Sequence, residues 1–179
     1  MSSPLHAFTT SLNSIVVPKF GWKSAMEVEM SALFENAIGS LVTHPLGKTI
    51  VGCHWVYIVK YLPDGFIEHL KARLVAKGYT QTYGVVYAET FSHVAKISYV
   101  WIFISLAANL GWPLFQLDVK NAFLNGDLKE ELYMEQTPGF VAQGEFGKVC
   151  RLHKAIYGLK QSLRAWFGKF SEVVLKFRL

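Results

Sequence analysis

Hydrophobic and polar positions repeat with clear periods along much of the chain, and each period predicts an element. From Trp22, the residues Met26, Met30, Leu33 and Ala37 recur at four, three and four, building one apolar helical stripe that Gly39 is placed to stop. Trp55, Tyr57, Val59 and Tyr61 then alternate with Val56, Ile58, Lys60 and Leu62, and Pro63-Asp64-Gly65 supplies a turn. A second extended run follows from Phe66 to Ala76. It puts Lys71, Arg73 and the following Lys77 on one face, and Leu70, Ala72, Leu74 and Ala76 on the other. The pattern predicts a β-ribbon with a cationic strip. Ordinary solvated lysines are the plainer reading of that strip, and base rates favour it.

Further along, Ser98 to Leu110 reads as a buried helix punctuated by Gly111. From Leu114 the chain alternates again, with Phe115, Leu117 and Val119 on one side and Leu114, Gln116 and Asp118 on the other. Asp118 is therefore expected near the end of a half-buried strand, as either a solvated strand end or a metal ligand; the pattern leaves both open. Asp127, Glu130, Glu131 and Glu135, followed by Pro138-Gly139, read as an acidic, turn-rich exposed hairpin, and Gly144 to Gly147 as another turn. Ser162 is placed to cap a last helix carrying Trp166, Phe170, Val173 and Phe177. No Pro or Gly stop closes that helix, so the sequence is expected to break off inside a larger unit. The fold class is α+β, with residues 1–21 an irregular lead-in.

Composition narrows the function classes. At 179 residues and 51% hydrophobic, the chain can bury a core and is far from disordered composition. A net charge of +5 and a pI of about 9.2 favour a polyanionic partner such as nucleic acid. The two cysteines, Cys53 and Cys150, make no disulfide framework, and the default is a reducing, intracellular setting. Cys150 and His153 have a ligand-like spacing but no second pair to complete a zinc site. Met1 to Thr10 lacks the pattern of a signal peptide. Ile97 to Leu117 carries no charge, but Asn109, Gly111, Trp112 and Pro113 interrupt it, so no membrane span is expected.

Five blocks occur in a fixed order. They are Trp22, Ala25, Met26 and Glu29 with Leu33 and Asn36; GFIEHLKARLVAKGYTQ from Gly65 to Gln81; Tyr87-Ala88-Glu89-Thr90-Phe91-Ser92 with Val94-Ala95-Lys96; QLDVKNAFLNGDL from Gln116 to Leu128, then Tyr133-Met134 and Pro138-Gly139-Phe140; and YGLKQSLRAWF from Tyr157 to Phe167. Together they resemble the reverse transcriptase domain of copia-type retrotransposons. The resemblance implies a partial right-hand polymerase over residues 22–179, a fingers β-ribbon plus the first part of the palm. It implies an RNA template, a DNA primer, deoxynucleoside triphosphates and Mg2+, with in-line displacement at phosphorus between paired metals.

Residue by residue, the resemblance makes Asp118 the first catalytic aspartate and a metal ligand, with Val119 lending its carbonyl to the metal. Asn121 and Ala122 would offer N–H groups to the triphosphate, and Phe123 would lie under the incoming sugar and disfavour a 2′-hydroxyl. Lys71 and Arg73 are candidates for gripping the triphosphate, with the choice between them open. Gln161 and Arg164 belong to the block lining the nucleotide and template side.

The chain also departs from the family. A Tyr-x-Asp-Asp box is required, yet the only aspartates are Asp64, Asp118 and Asp127, none adjacent. On this reading the family's thumb, RNase H and integrase are also expected to be missing. Catalysis by this chain alone is therefore not expected, because a lone carboxylate cannot hold two magnesium ions against hydration. His54, His93, Trp101 and Leu163 also replace usual family residues, consistent with decay. The alternatives are a residual nucleic-acid-binding module, a non-functional retroelement remnant exposing Trp166 and Phe170, and a metal-dependent nuclease built from Asp118, Asp127 and Glu130.

Overall fold

A computed structural model describes residues 19–84, 86–90, 95–141 and 144–177. The expectations for residues 1–18, and for Phe91, Ser92, His93 and Val94, lie outside the described residues.

Helix α1 (Lys19–Glu35) starts ahead of Trp22 and buries Glu29 and Leu33. It stops before Gly39, not at it. Ala37 takes the left-handed conformation with φ 49°, and the Ile38 N–H returns to the Leu33 carbonyl at 3.2 Å. Gly39 instead opens strand β1 (Gly39–Thr43). After β2 (Ile50–Val51), the ribbon forms as the alternation predicts, with β3 (Cys53–Tyr61) antiparallel to β4 (Ile67–Ala76). Its turn is held by the Asp64 carboxylate, which accepts the Phe66 N–H at 3.1 Å. Ala72, Leu74 and Ala76 are buried, while Lys71 and Arg73 on the opposite face stay half-buried.

A second sheet has the order β1-β6-β5-β2, where β5 is Asp127–Met134 and β6 is Lys148–Lys154. Its pairs are antiparallel except β2 with β5. The acidic hairpin expected to be exposed is thus a structural strand pair: Leu132, Tyr133 and Met134 are buried in it. The core joins this sheet to the ribbon and α1. Leu74, Leu124, Leu132 and Ile156 are its largest fully buried apolar side chains, each worth about 2 kcal/mol of apolar transfer.

Two expectations fail between the ribbon and β5. Helix α2 (Ile97–Leu110) forms and ends at Gly111 in the left-handed conformation, but only Ala107 is buried. Its composition asks for burial, and no element among the described residues covers it. Residues 112–119 form no strand. A strand needs a neighbouring edge for its backbone groups, and none of the described strands pairs there. Helix α3 (Ser162–Phe177) closes the described chain. Ser162 does not cap it; the buried hydroxyl donates to the Ile156 carbonyl at 2.5 Å. Trp166 and Phe170 stack at 5.4 Å; Phe170 is exposed, whereas Trp166, expected to be exposed with it in the remnant reading, is half-buried. The architecture is therefore mixed α+β, and no described helix is long and apolar enough to cross a membrane.

The α1–β4 contact turns on one carboxylate. Glu29 is 6% exposed and accepts the Leu74 N–H on the free edge of β4 at 3.4 Å. Burial raises its pKa above 4.5, partly offset by the Leu74 amide and the charges of Arg73 and Lys71. The protonated acid is thus favoured by folding, so the stabilising contribution is full below pH 4.5 and is lost as pH rises through the raised value. Glu29→Gln keeps an acceptor and removes the titration. Urea midpoints of this variant are expected to stay level across that window while those of the parent fall; parallel profiles would contradict the assignment.

Candidate functional site

Three of the sequence blocks meet at an aromatic column. Arg73, on the outer face of β4, lies over the Tyr157 ring at 4.5 Å from its centroid. Phe123 meets the same ring edge-on, with centroids 5.1 Å apart and planes at 87°. Phe123 is placed there by a single 3-10 turn, Ala122–Asn125, which follows Asn121 at φ 53° and ψ 44°. The adjacent Leu124 is fully buried and anchors the turn, leaving Phe123 at the rim.

The column stands on a backbone contact. The Ala76 N–H donates to the Tyr157 carbonyl at 2.8 Å. A Cβ on Gly158, which sits at φ +90°, would lie 2.2 Å from the Ala76 oxygen. One on Gly78 would lie 1.9 Å from the Gly158 oxygen. No side chain fits at either position. A third close approach seats α3: a Cβ on Gly126 would be 2.7 Å from the Ala165 carbonyl carbon. Beneath these contacts, Gln161 is 0% exposed and accepts a hydrogen bond from the Gln81 amide at 3.0 Å. The Gln161 amide nitrogen has no partner among the described residues.

The other anticipated residues are spread around this centre. Lys71 and Asn121 line one cleft between α1 and β4. Ala122 is half-buried at the start of the 3-10 turn. Asp118 and Val119 lie exposed in the irregular segment, not at the end of a half-buried strand. Gln161 is a core residue, with no open face toward a ligand. Arg164 pairs with Glu130, both about four-fifths buried, and lines a separate cleft with Asp127 and Lys169. Tyr157 and Gln81, which tie the blocks together, were quoted within motifs but given no role by sequence. The signal for Tyr157 was its place beside a glycine in a block that must approach backbone closely.

The acidic residues do not converge. Asp127 pairs with Lys169 at 3.4 Å, Glu130 with Arg164, and Asp64 closes the ribbon turn. Among the described residues no group of three His, Cys, Asp or Glu side chains could hold a metal. The described donors therefore do not fit a two-magnesium centre, and among the described residues the nuclease reading loses its carboxylate cluster. Both cysteines are free, and burial pushes the Cys53 thiol up to about 11, which suits a packed side chain and not a nucleophile.

Comparison with known proteins converges on one group. Residues 36–179 match the family model described as reverse transcriptase (RNA-dependent DNA polymerase). The chain is 50% identical over 155 residues to the retrovirus-related Pol polyprotein from transposon RE2 of Arabidopsis thaliana, covering 86% of this chain and 11% of that polyprotein. It is 47% identical over 146 residues to the Pol polyprotein from transposon TNT 1-94 of Nicotiana tabacum, covering 82% of this chain and 11% of that one. A truncated Gag-Pol polyprotein from transposon Ty1-A of Saccharomyces cerevisiae is 36% identical over 110 residues, 59% of this chain and 9% of the relative. The chain thus spans about a tenth of the length of these curated relatives. No solved structure matches.

The glycine contact is directly testable. Gly158→Ala adds a methyl group against the Ala76 carbonyl at positive φ. The expected cost is at least about 3 kcal/mol, from overpacking plus left-handed strain. Chemical denaturation should show the loss, whereas Gly144→Ala, with open space around its Cβ position, should cost about 1 kcal/mol.

Proposed function

The chain belongs to the reverse transcriptase family of copia-type retrotransposon Pol polyproteins, and we propose that residues 22–179 are the fingers and first palm portion of an RNA-directed DNA polymerase. The observation that carries the proposal is the Arg73–Tyr157–Phe123 column. It joins a guanidinium suited to phosphate oxygens with a flat ring suited to a sugar face, and draws both from blocks far apart in sequence.

In this reading the ligand is a deoxynucleoside triphosphate, paired with an RNA template and a DNA primer. Arg73 takes the triphosphate oxygens, and Lys71 adds charge from the neighbouring cleft. Asn121 and Ala122 present backbone N–H groups, with Asn121 held left-handed at the start of its turn. Phe123 closes the sugar side and disfavours a 2′-hydroxyl. Gln161 and Arg164 act from behind: Gln161 fixes the base of the column through Gln81, and Arg164 holds α3 against β5 through Glu130. Asp118 and the Val119 carbonyl are this chain's contribution to the metal site.

Reverse transcriptases use divalent metals for the displacement itself, with magnesium the proposed ion. The residues here do not make up that centre, so the roles assigned to them are binding and orientation. For the same reason the 179-residue chain by itself is proposed to be catalytically silent. Primer extension on an RNA template with magnesium and all four deoxynucleotides should yield no product. Synthesis that disappears in Asp118→Ala would refute this. Photocrosslinking of a labelled deoxynucleoside triphosphate is expected to fall about tenfold in Arg73→Ala, the loss of one charge-assisted contact; an unchanged yield would remove Arg73 from the site.

A further inference from the structure

The free edges of the two sheets are treated unequally. An open edge is a row of unpaired N–H and C=O groups, and proteins blunt it with cover, brevity, charge or a bulge. On β4 outward groups are taken: the Leu74 N–H by Glu29 and the Ala76 N–H by the Tyr157 carbonyl. Strand β2 is only two residues long. Strand β3 carries Lys60, with a register irregularity beside it. Strand β1 has none of these devices. It is five residues long, pairs with β6 in unbroken register, and is exposed at Gly39, Ser40, Leu41 and Thr43. Residues 36–47 contain no Asp, Glu, Lys or Arg, and β1 contains no proline.

The register determines which groups face outward. The His153 N–H donates to the Ile38 carbonyl at 2.8 Å. Bonded positions alternate in an antiparallel pair. Ser40 and Val42 therefore continue the bonding to β6, while Gly39, Leu41 and Thr43 turn their main-chain groups away from it. No described strand meets those groups, because β1 ends the strand order. Apolar surface flanks them: Leu41, 43% exposed, lines an open apolar cleft together with Phe34, which is 88% exposed.

We propose that β1 is a dimer interface, pairing antiparallel with β1 of a second copy of this chain across a two-fold axis at Leu41. In that register Leu41 lies opposite its own copy, and Gly39 lies opposite Thr43. Three residue pairs then exchange two main-chain bonds each, about six in all. Two four-stranded sheets become one continuous sheet. A second copy is the partner that fits, because a single alignment satisfies both edges at once. Charge agrees. The chain carries +5 overall, yet this segment lets two copies approach edge to edge without opposing like charges. The same alignment brings together the two apolar clefts beside Leu41 and Phe34.

Sedimentation velocity of the full chain across a concentration series should show monomer converting to dimer, with a dissociation constant on the order of 10 μM. Leu41→Pro removes one outward N–H from each copy and no bond to β6, and should weaken the dimer about tenfold or more. Leu41→Lys sets like charges opposite each other at the axis. It should weaken the dimer by a similar factor at low salt and recover as salt rises, and it carries the test if circular dichroism shows Leu41→Pro unfolded. Crosslinking reads the register. Paired residues at the axis have Cα atoms about 5.5 Å apart, within disulfide reach. Mild oxidation should therefore join Leu41→Cys into covalent dimers. It should leave Val42→Cys, about 8 Å from its own copy, at the level of the parent. Monomer throughout up to about 200 μM, a dimer untouched by the Leu41 variants, or crosslinking at 41 no greater than at 42 would overturn the proposal.

Discussion

The structure depends on two stretches of main chain lying closer than side chains allow. Where β4 ends, the Ala76 N–H is hydrogen-bonded to the Tyr157 carbonyl, and Gly78 and Gly158 face each other with no room for a Cβ. That contact brings Arg73 within reach of Tyr157. It sets Gln81 against Gln161 and Lys160, and it fixes the direction in which the chain enters α3. The candidate site therefore rests on this foundation. Hydrophobic burial of Leu74 and Ile156 stabilises it, but burial has no direction. The paired glycines supply the direction.

Local pattern was a good guide where local forces decide. The ribbon was legible because alternation and a Pro-Asp-Gly turn specify a hairpin within a short span, and β3 and β4 formed with the faces assigned to Lys71 and Arg73. Helices α1 and α3 formed where their apolar stripes placed them, although Ala37 falls beyond α1 and Phe170, Val173 and Phe177 stay exposed. Strand β1 was missed because Gly39 resembles a helix stop, whereas its neighbours pair with β6 more than a hundred residues away. The 114–119 segment failed in the other direction. Its alternation is that of a strand, but a strand is a relation between two edges, and no described partner supplies the second.

The candidate site divided in the same way. Residue types and motif order were enough to pick out Arg73 and Phe123, and the structure brings them onto one ring. Nothing in the sequence distinguished Gln161 as buried from Arg164 as ion-paired, because both are polar residues in one short block. The electrostatic partner of Arg164, Glu130, comes from the segment that pattern alone reads as solvent-facing acid. Compensated charge of this kind is visible only once a strand and a distant helix are placed together.

The passage from one sheet to the other takes place in a single residue, Gly52, between β2 and β3. The Lys77 N–H is bonded to the Gly52 carbonyl at 2.7 Å, so both legs of the ribbon leave the body of the molecule at the same point. Helix α1 braces the inner part of the ribbon, through Glu29 to Leu74 and Trp22 against Tyr57, and the end beyond it projects as a lever. Nine residues of β3 extend the ribbon by roughly 30 Å, so a tilt of about 10° at that root carries the Pro63–Gly65 tip by about 5 Å. Arg73, three residues from the root, would move by roughly a third of that. The geometry puts the gripping point on the inner third of a lever and the turn at its far end, on one continuous piece of backbone.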